Sequence, residues 1–187
     1  RQTCLEKAGF GGFRMAVNVS IAQFRHPQFL DMLKQALADT GINPALLELE
    51  ITESMAMLEP DYVIGVIHTV KALGVSVAVD DFGTGFSSLS YLQRLDVDRL
   101  KIDRGFVNAI RGPAQTTECI AQTVIQLGCN LGLTVIAEGV ETEAQARLLK
   151  QMGCHEAQGY LFAHPMESAE LAQWLEARRD AGSPVDD

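Results

Sequence analysis

Asp80 and Asp81 stand side by side where the run Val-Ser-Val-Ala-Val (75–79) ends, and Gly83-Thr84-Gly85 follows after one phenylalanine. Adjacent carboxylates repel, so a pair held together needs positive charge close by. Other apolar runs end in the same manner, on Asn18, on Glu50, on Lys101 with Asp103, on Glu138 and on Gln158. Several carboxylates converging on one rim cannot all stay ionised without cations. The donors are oxygens, with no suitably spaced His or Cys among them, which selects hard divalent ions such as Mg²⁺ or Mn²⁺. Two adjacent aspartates suit two ions about 3.5–4 Å apart with one carboxylate bridging, and such a pair with a lysine nearby is suited to in-line attack on a phosphodiester.

Plainer readings stand beside this one. Asp81-Phe82-Gly83 also occurs in protein kinases, but no His-Arg-Asp loop or Val-Ala-Ile-Lys strand accompanies it. Gly83-Thr84-Gly85 fits a tight turn as well as a phosphate loop. Lys101 has the spacing for a structural pair with Asp103 on the same strand face; among the other rim groups a chemical role is preferred. Glu48 is read as an inward-facing residue deeper than the rim. The four histidines share no ligand spacing and are read as structural or surface residues. Cys4, Cys119, Cys129 and Cys154 form no C-x-x-C pair and are read as free thiols of a reducing cytoplasm.

The elements that must position the rim alternate strand and helix. Strands are predicted over 13–20, 46–52, 75–82, 99–103, 134–140 and 156–162. Helical patterns lie between them, several stopping at Gly41, Gly74, Gly132 or Gly153, and Thr142 with Gln145 forms a capping box. Side chains alternate faces along a strand. One face carries Val17, Val19, Leu47, Leu49, Ile51, Val75, Val77, Val79, Leu100 and Ile102. The other carries Asn18, Ser20, Glu48, Glu50, Thr52, Ala78, Asp80, Lys101, Asp103 and Glu138. An open sheet covered by helices on both sides would be apolar on both faces. Apolar on one face only, these strands predict an α/β barrel, with helices outside, a polar lumen, and its site at the C-terminal strand ends. Six strands are found where a closed barrel of this kind has eight.

Composition narrows the classes. Hydrophobic residues are 47% of the 187, enough for a core. The net charge of −9 and the scattered basic residues argue against a nucleic-acid polymer as partner. No apolar run approaches the ~20 residues of a membrane helix, so no membrane contact is expected from this segment.

The stretches AVNVS, LELEITES, VDDFGTGFSSL, LKIDRGFV, VIAEGVET and QGYLFAHPM resemble, in order and over nearly the whole chain, the successive motifs of the EAL-domain family. That resemblance implies a TIM-like (β/α)₈ barrel and a phosphodiesterase that opens cyclic di-GMP to linear pGpG with two Mg²⁺ or Mn²⁺ ions. It implies Asn18, Glu50 and Asp80 as ligands of one metal. Asp80 would bridge to a second that Asp81 helps to hold, and Glu138 counts among the ligands too. Lys101 and Glu138 would orient and activate the attacking water, with Gln158 beside them and Asp103 as a supporting carboxylate. Glu53 and Glu141 would position the loop after Asp81, which includes Gly83, Thr84 and Gly85 and links dimerisation to activity.

The name-giving Glu-Ala-Leu stretch does not occur in this sequence. In the family it lies on a strand before the region that Arg1 opens, and it supplies a metal ligand. The expectation is an EAL domain over 1–179 lacking its N-terminal strands, then a flexible tail over 180–187. The whole protein is expected to be a cytoplasmic, homodimeric phosphodiesterase with sensor or diguanylate-cyclase-like domains upstream, or an anchor there, and this fragment to be much less active by itself. The alternative is a catalytically inactive cyclic di-GMP receptor.

Overall fold

The computed structural model describes residues 12–83, 89–110 and 116–180. Six strands lie where alternation predicted them: β1 Met15–Asn18, β2 Leu47–Thr52, β3 Ser76–Phe82, β4 Arg99–Ile102, β5 Thr134–Glu138 and β6 Glu156–Gln158. Every adjacent pair is parallel, and the order across the sheet is the order in sequence. A doubly wound sheet reverses its order at a switch point. This sheet does not reverse, and right-handed crossovers then place the connecting helices on one side.

That side holds the core. Leu49, Ile51, Val77, Val79, Leu100, Ile102, Val135 and Ala137 point into it and are almost completely buried. The helix Pro60–Ala72 presents Val63, Val66, Ile67 and Val70 to them, the i, i+3, i+4, i+7 spacing of one helical face. Burying Ile67 completely contributes on the order of 2 kcal/mol. The helix Phe29–Thr40, beside the edge strand β1, buries no residue completely, and Met32 on it is 63% exposed.

The opposite, polar face is concave. Strands lie about 4.8 Å apart, so β2 and β6 would be about 19 Å apart in a flat sheet. Yet Arg99 on β4 reaches Glu48 of β2 at 3.0 Å and Glu156 of β6 at 2.5 Å. Side chains of alternate strands meeting in one layer is the pattern of a barrel interior.

Three elements depart from the sequence expectation for a shared reason. Short helices Ile21–Phe24, Glu53–Ala56 and Arg104–Asn108 leave almost directly from β1, β2 and β4. Each is capped by a polar residue at the strand end: Ser20 accepts from Gln23 N–H, Thr52 from Met55 N–H, and Asp103 from Gly105 N–H. Ser20, Thr52 and Asp103, assigned above to the lumen by alternation, therefore satisfy orphan helix donors. The last strand ends at Gln158 rather than 162, and β5 at Glu138 rather than 140. The Thr142–Gln145 capping box is present as predicted. No helix among the described residues is long and apolar enough to cross a membrane.

Candidate metal centre

Register fixes the heights of the polar side chains. Glu50 of β2 lies opposite Asn18 of β1 and Ala78 of β3; Lys101 of β4 lies opposite Ile136; Glu138 of β5 lies opposite Gln158 of β6. Two layers result. In the upper one the Lys101 ammonium lies 2.7 Å from Glu50 Oε1, 3.2 Å from Asp80 Oδ1 and 2.6 Å from Glu138 Oε1. Gln158 Nε2 donates to the same Glu138 oxygen at 3.2 Å. The lower layer, two residues down each strand, is Arg99 with Glu48 and Glu156, and Arg14 lies 4.0 Å from Glu156.

A regular strand would send Asp80 and Asp81 to opposite faces. Here the β3–β4 register shifts between Val79 and Phe82, and Asp81 adopts φ 54°. Aspartate is one of the few L-residues that visit this left-handed region. The bulge turns Asp81 back toward the lumen while Phe82 still reaches the core, 4% exposed. Asp81 N–H donates to Asp80 Oδ1 at 2.9 Å. One oxygen each from Asp80, Asp81 and Glu138 then lies within 4.8 Å of the others, the spacing a divalent ion needs from its ligands.

Charge is unbalanced in this layer. Among the described residues Lys101 pairs with Glu50, Asp80 and Glu138, and it acts on Asp81 by charge together with Arg104. Burial raises the Glu138 pKa; Lys101 opposes the shift, and the charges of Asp80 and Glu50 reinforce it. Burial also raises that of Asp81, followed by the charges of Asp80 and Asp103, against Lys101 and Arg104. For Lys101 burial favours the neutral amine, but hydrogen bonds to Glu138 and Glu50 and the charges of Glu138 and Asp80 outweigh it, so its pKa rises. Its ammonium is held as a hydrogen-bond donor to Glu50 and Glu138.

Of the residues singled out in the sequence, Glu50, Asp80, Asp81, Lys101, Glu138 and Gln158 come together. Asn18 lies beside Glu50 across the β1–β2 pair, exposed on the edge strand. Lys101 pairs with carboxylates of three other strands, β2, β3 and β5, rather than with Asp103, whose Oδ1 accepts from Gly105 N–H at 2.8 Å. Asp103 acts on the centre through its charge on Asp81. Glu53 is 1% exposed and accepts from Gly83 N–H at 2.8 Å, at the start of the loop it was expected to hold. Glu141 is exposed, and its backbone N–H donates to Gln145 Oε1 at 2.9 Å. Thr84 and Gly85 lie outside the described residues. Sequence reading missed Arg99, although it lies two residues before Lys101 and so shares its face. It also missed Arg104 and Phe106 on the short helix after β4, for which alternation carries no signal.

The family model for the EAL domain matches residues 2–165. This chain belongs to the EAL-domain family. It is 42% identical over 163 residues to the bifunctional diguanylate cyclase/cyclic di-GMP phosphodiesterase MucR of Pseudomonas aeruginosa, covering 87% of this chain and 24% of MucR. The chain thus spans about a quarter of that relative's length. Among solved structures, the c-di-GMP complex of PaMucR phosphodiesterase superposes with a TM-score of 0.87 at 40% identity, over 91% of this chain and 68% of that one. The manganese/cy-diGMP complex of Klebsiella pneumoniae BlrP1 does so with a TM-score of 0.77 at 31% identity, over 86% and 41%. The curved sheet is therefore part of the family's TIM-like barrel, represented here by six consecutive parallel strands.

Proposed function

We propose that this domain hydrolyses cyclic di-GMP to pGpG with two bound Mg²⁺ or Mn²⁺ ions. The observation that carries the reading is the convergence of Asp80, Asp81 and Glu138 within 4.8 Å, on strand ends where, among the described residues, carboxylates outnumber cations. The all-oxygen donor set fits hard divalent cations. Asp80, Asp81 and Glu138 would hold the ions, with Glu50 and Asn18 completing the set. Bound there, the ions would lower the pKa of water and stabilise charge on the phosphoryl oxygens.

The protein's own groups supply orientation. Lys101 draws Glu50, Asp80 and Glu138 toward one point and offers a permanent positive charge to the phosphoryl group. Glu138 is fixed at Oε1 by Lys101 and Gln158, which aims its carboxylate at the attacking water. The water oxygen bonds to phosphorus as one P–O3′ bond breaks; one of the water's protons ends on the departing 3′ oxygen and the other on the new phosphate or in solvent. The opened ring is pGpG. A homodimer, a cytoplasmic location and regulatory domains elsewhere in the protein are part of the same reading; the MucR name, which pairs a cyclase with a phosphodiesterase, supports the last of these.

Chromatography of products from the whole protein tests it. The expected result is pGpG in the presence of Mn²⁺ or Mg²⁺ and none in EDTA. Nucleotide binding without pGpG would make the domain a receptor instead, and turnover in EDTA would remove the metals from the reaction.

A further inference from the structure

We propose that the short helix Arg104–Asn108 is a wedge that sets the spacing between the ends of β3 and β5, with Phe106 the positioning residue for Asp81. This rests on reading Asp80, Asp81 and Glu138 as metal ligands, and deepens that reading by naming what holds them apart at a fixed distance.

The helix follows β4, which lies between β3 and β5. Residues 104 and 106 are two apart, about 200° around a helix, so they face nearly opposite ways. Each meets a glycine at a neighbouring strand end. A Cβ on Gly83 would lie 2.7 Å from Phe106 Cε2 and 3.0 Å from Cζ. A Cβ on Gly139 would lie 2.7 Å from Arg104 Cβ. Both glycines also have positive φ, 99° and 70°. Gly83 is two residues after Asp81, and Gly139 directly follows Glu138. The helix therefore touches the backbone beside both groups of carboxylates, on its two sides.

The wedge is itself anchored. Asp103 caps its first turn. Val107 is completely buried, and its carbonyl accepts from Gln145 Nε2 at 3.2 Å. Gln145 belongs to the capping box of the helix that follows β5, so the helix is tied to the β5 side as well as to β4. The buried Glu53 carboxylate also holds Gly83 N–H. Gly83 is thus held by both Glu53 and the Phe106 ring. That grip fixes the backbone just beyond Asp81, whose left-handed conformation persists only where its surroundings enforce it. Removing the ring frees Gly83 to shift toward the vacated space, and Asp81 can relax toward the ordinary strand conformation, away from Asp80.

Mn²⁺ titration of the whole protein, followed by electron paramagnetic resonance, reads the geometry without turnover. Wild type is expected to take up two ions with a spin-coupled spectrum. Phe106→Ala should lose the coupled spectrum and bind the second ion at least about tenfold more weakly, the usual scale for residues that support metal ligands. Phe106→Leu, which keeps part of the contact, should fall between, and Gly139→Ala should weaken uptake from the other side. Ile67→Ala, a core truncation in the helix Pro60–Ala72, serves as control: it should lower the melting temperature and leave Mn²⁺ uptake unchanged. If Phe106→Ala does not fold, Phe106→Leu decides. Wild-type uptake in the Phe106 variants overturns the wedge alone. A wild-type protein that binds no Mn²⁺ overturns the metal reading and the wedge with it.

Discussion

Lys101 and Arg99 are two residues apart on β4, face the same lumen and meet carboxylates of other strands. Their layers nevertheless differ in kind. Below, Arg99 and Arg14 stand against Glu48 and Glu156, so charges balance. The planar arginine fork engages a carboxylate on either side and keeps its charge. Above, among the described residues, four carboxylates meet Lys101 and, at Asp81, the charge of Arg104, so anions outnumber cations. A self-neutralised layer can close the barrel and needs nothing further. An anion-rich layer at the strand ends has negative charge left over to attract cations. The same strands, offset by two residues, thus supply a floor and a site.

The largest expected difference is in turnover by the whole protein. Asp80→Asn removes a carboxylate from the unbalanced layer and should lower kcat by at least about 10³-fold, the scale for loss of one key electrostatic group in a site. Glu48→Gln, in the balanced layer, should cost far less. Steady-state assays on cyclic di-GMP with Mn²⁺ check this. Equal losses would erase the distinction between floor and site.

Metal should stabilise one layer only. A ligand at one hundred times its Kd adds about 2.7 kcal/mol to the folded state. Thermal melts with Mn²⁺ and with EDTA should therefore differ for wild type and for Glu48→Gln, and the difference should shrink in Asp81→Asn. A stabilisation that survives Asp81→Asn and disappears in Glu48→Gln would put the ions in the lower layer.

Much of this contrast was legible in the sequence. Period-two alternation separated the apolar outer face from the lumen on β2, β3, β4 and β5, and it put Glu48 below Glu50. What it could not register is where the strand stops. Ser20, Thr52 and Asp103 continue the alternation in sequence, but the chain has already turned into a helix, and their side chains cap it. The converse happens at Asp81. Strict alternation directs it away from Asp80, and only the bulge with its φ of 54° returns it. Contacts such as Phe106 on Gly83 join elements distant in sequence and leave no periodic trace.

The smallest effect concerns the floor. Burial pushes the Glu48 pKa up from 4.5 to about 6, helped by the charges of Glu50 and Glu156 and opposed by Arg14 and a Ser76 hydrogen bond. A carboxyl with a higher pKa in the folded state holds its proton more tightly there than in the unfolded chain. Between pH 4.5 and about 6 the folded state therefore binds more protons, and stability falls as pH rises through that window. At 1.36 kcal/mol per pH unit, the full loss, from well below pH 4.5 to well above pH 6, comes to about 2 kcal/mol. Glu48→Gln cannot titrate and should not show it. Urea unfolding in metal-free buffer, at pH 4.5 and at pH 7, should find wild type losing about 1.5 kcal/mol relative to Glu48→Gln over that span. Metal must be absent, because a dication bound near Glu50 would lower the Glu48 pKa by its own charge. A wild type that gains stability relative to Glu48→Gln over the same span would mean that the Arg99 and Arg14 cations outweigh burial, and that the floor is held by ionised pairs even in acid.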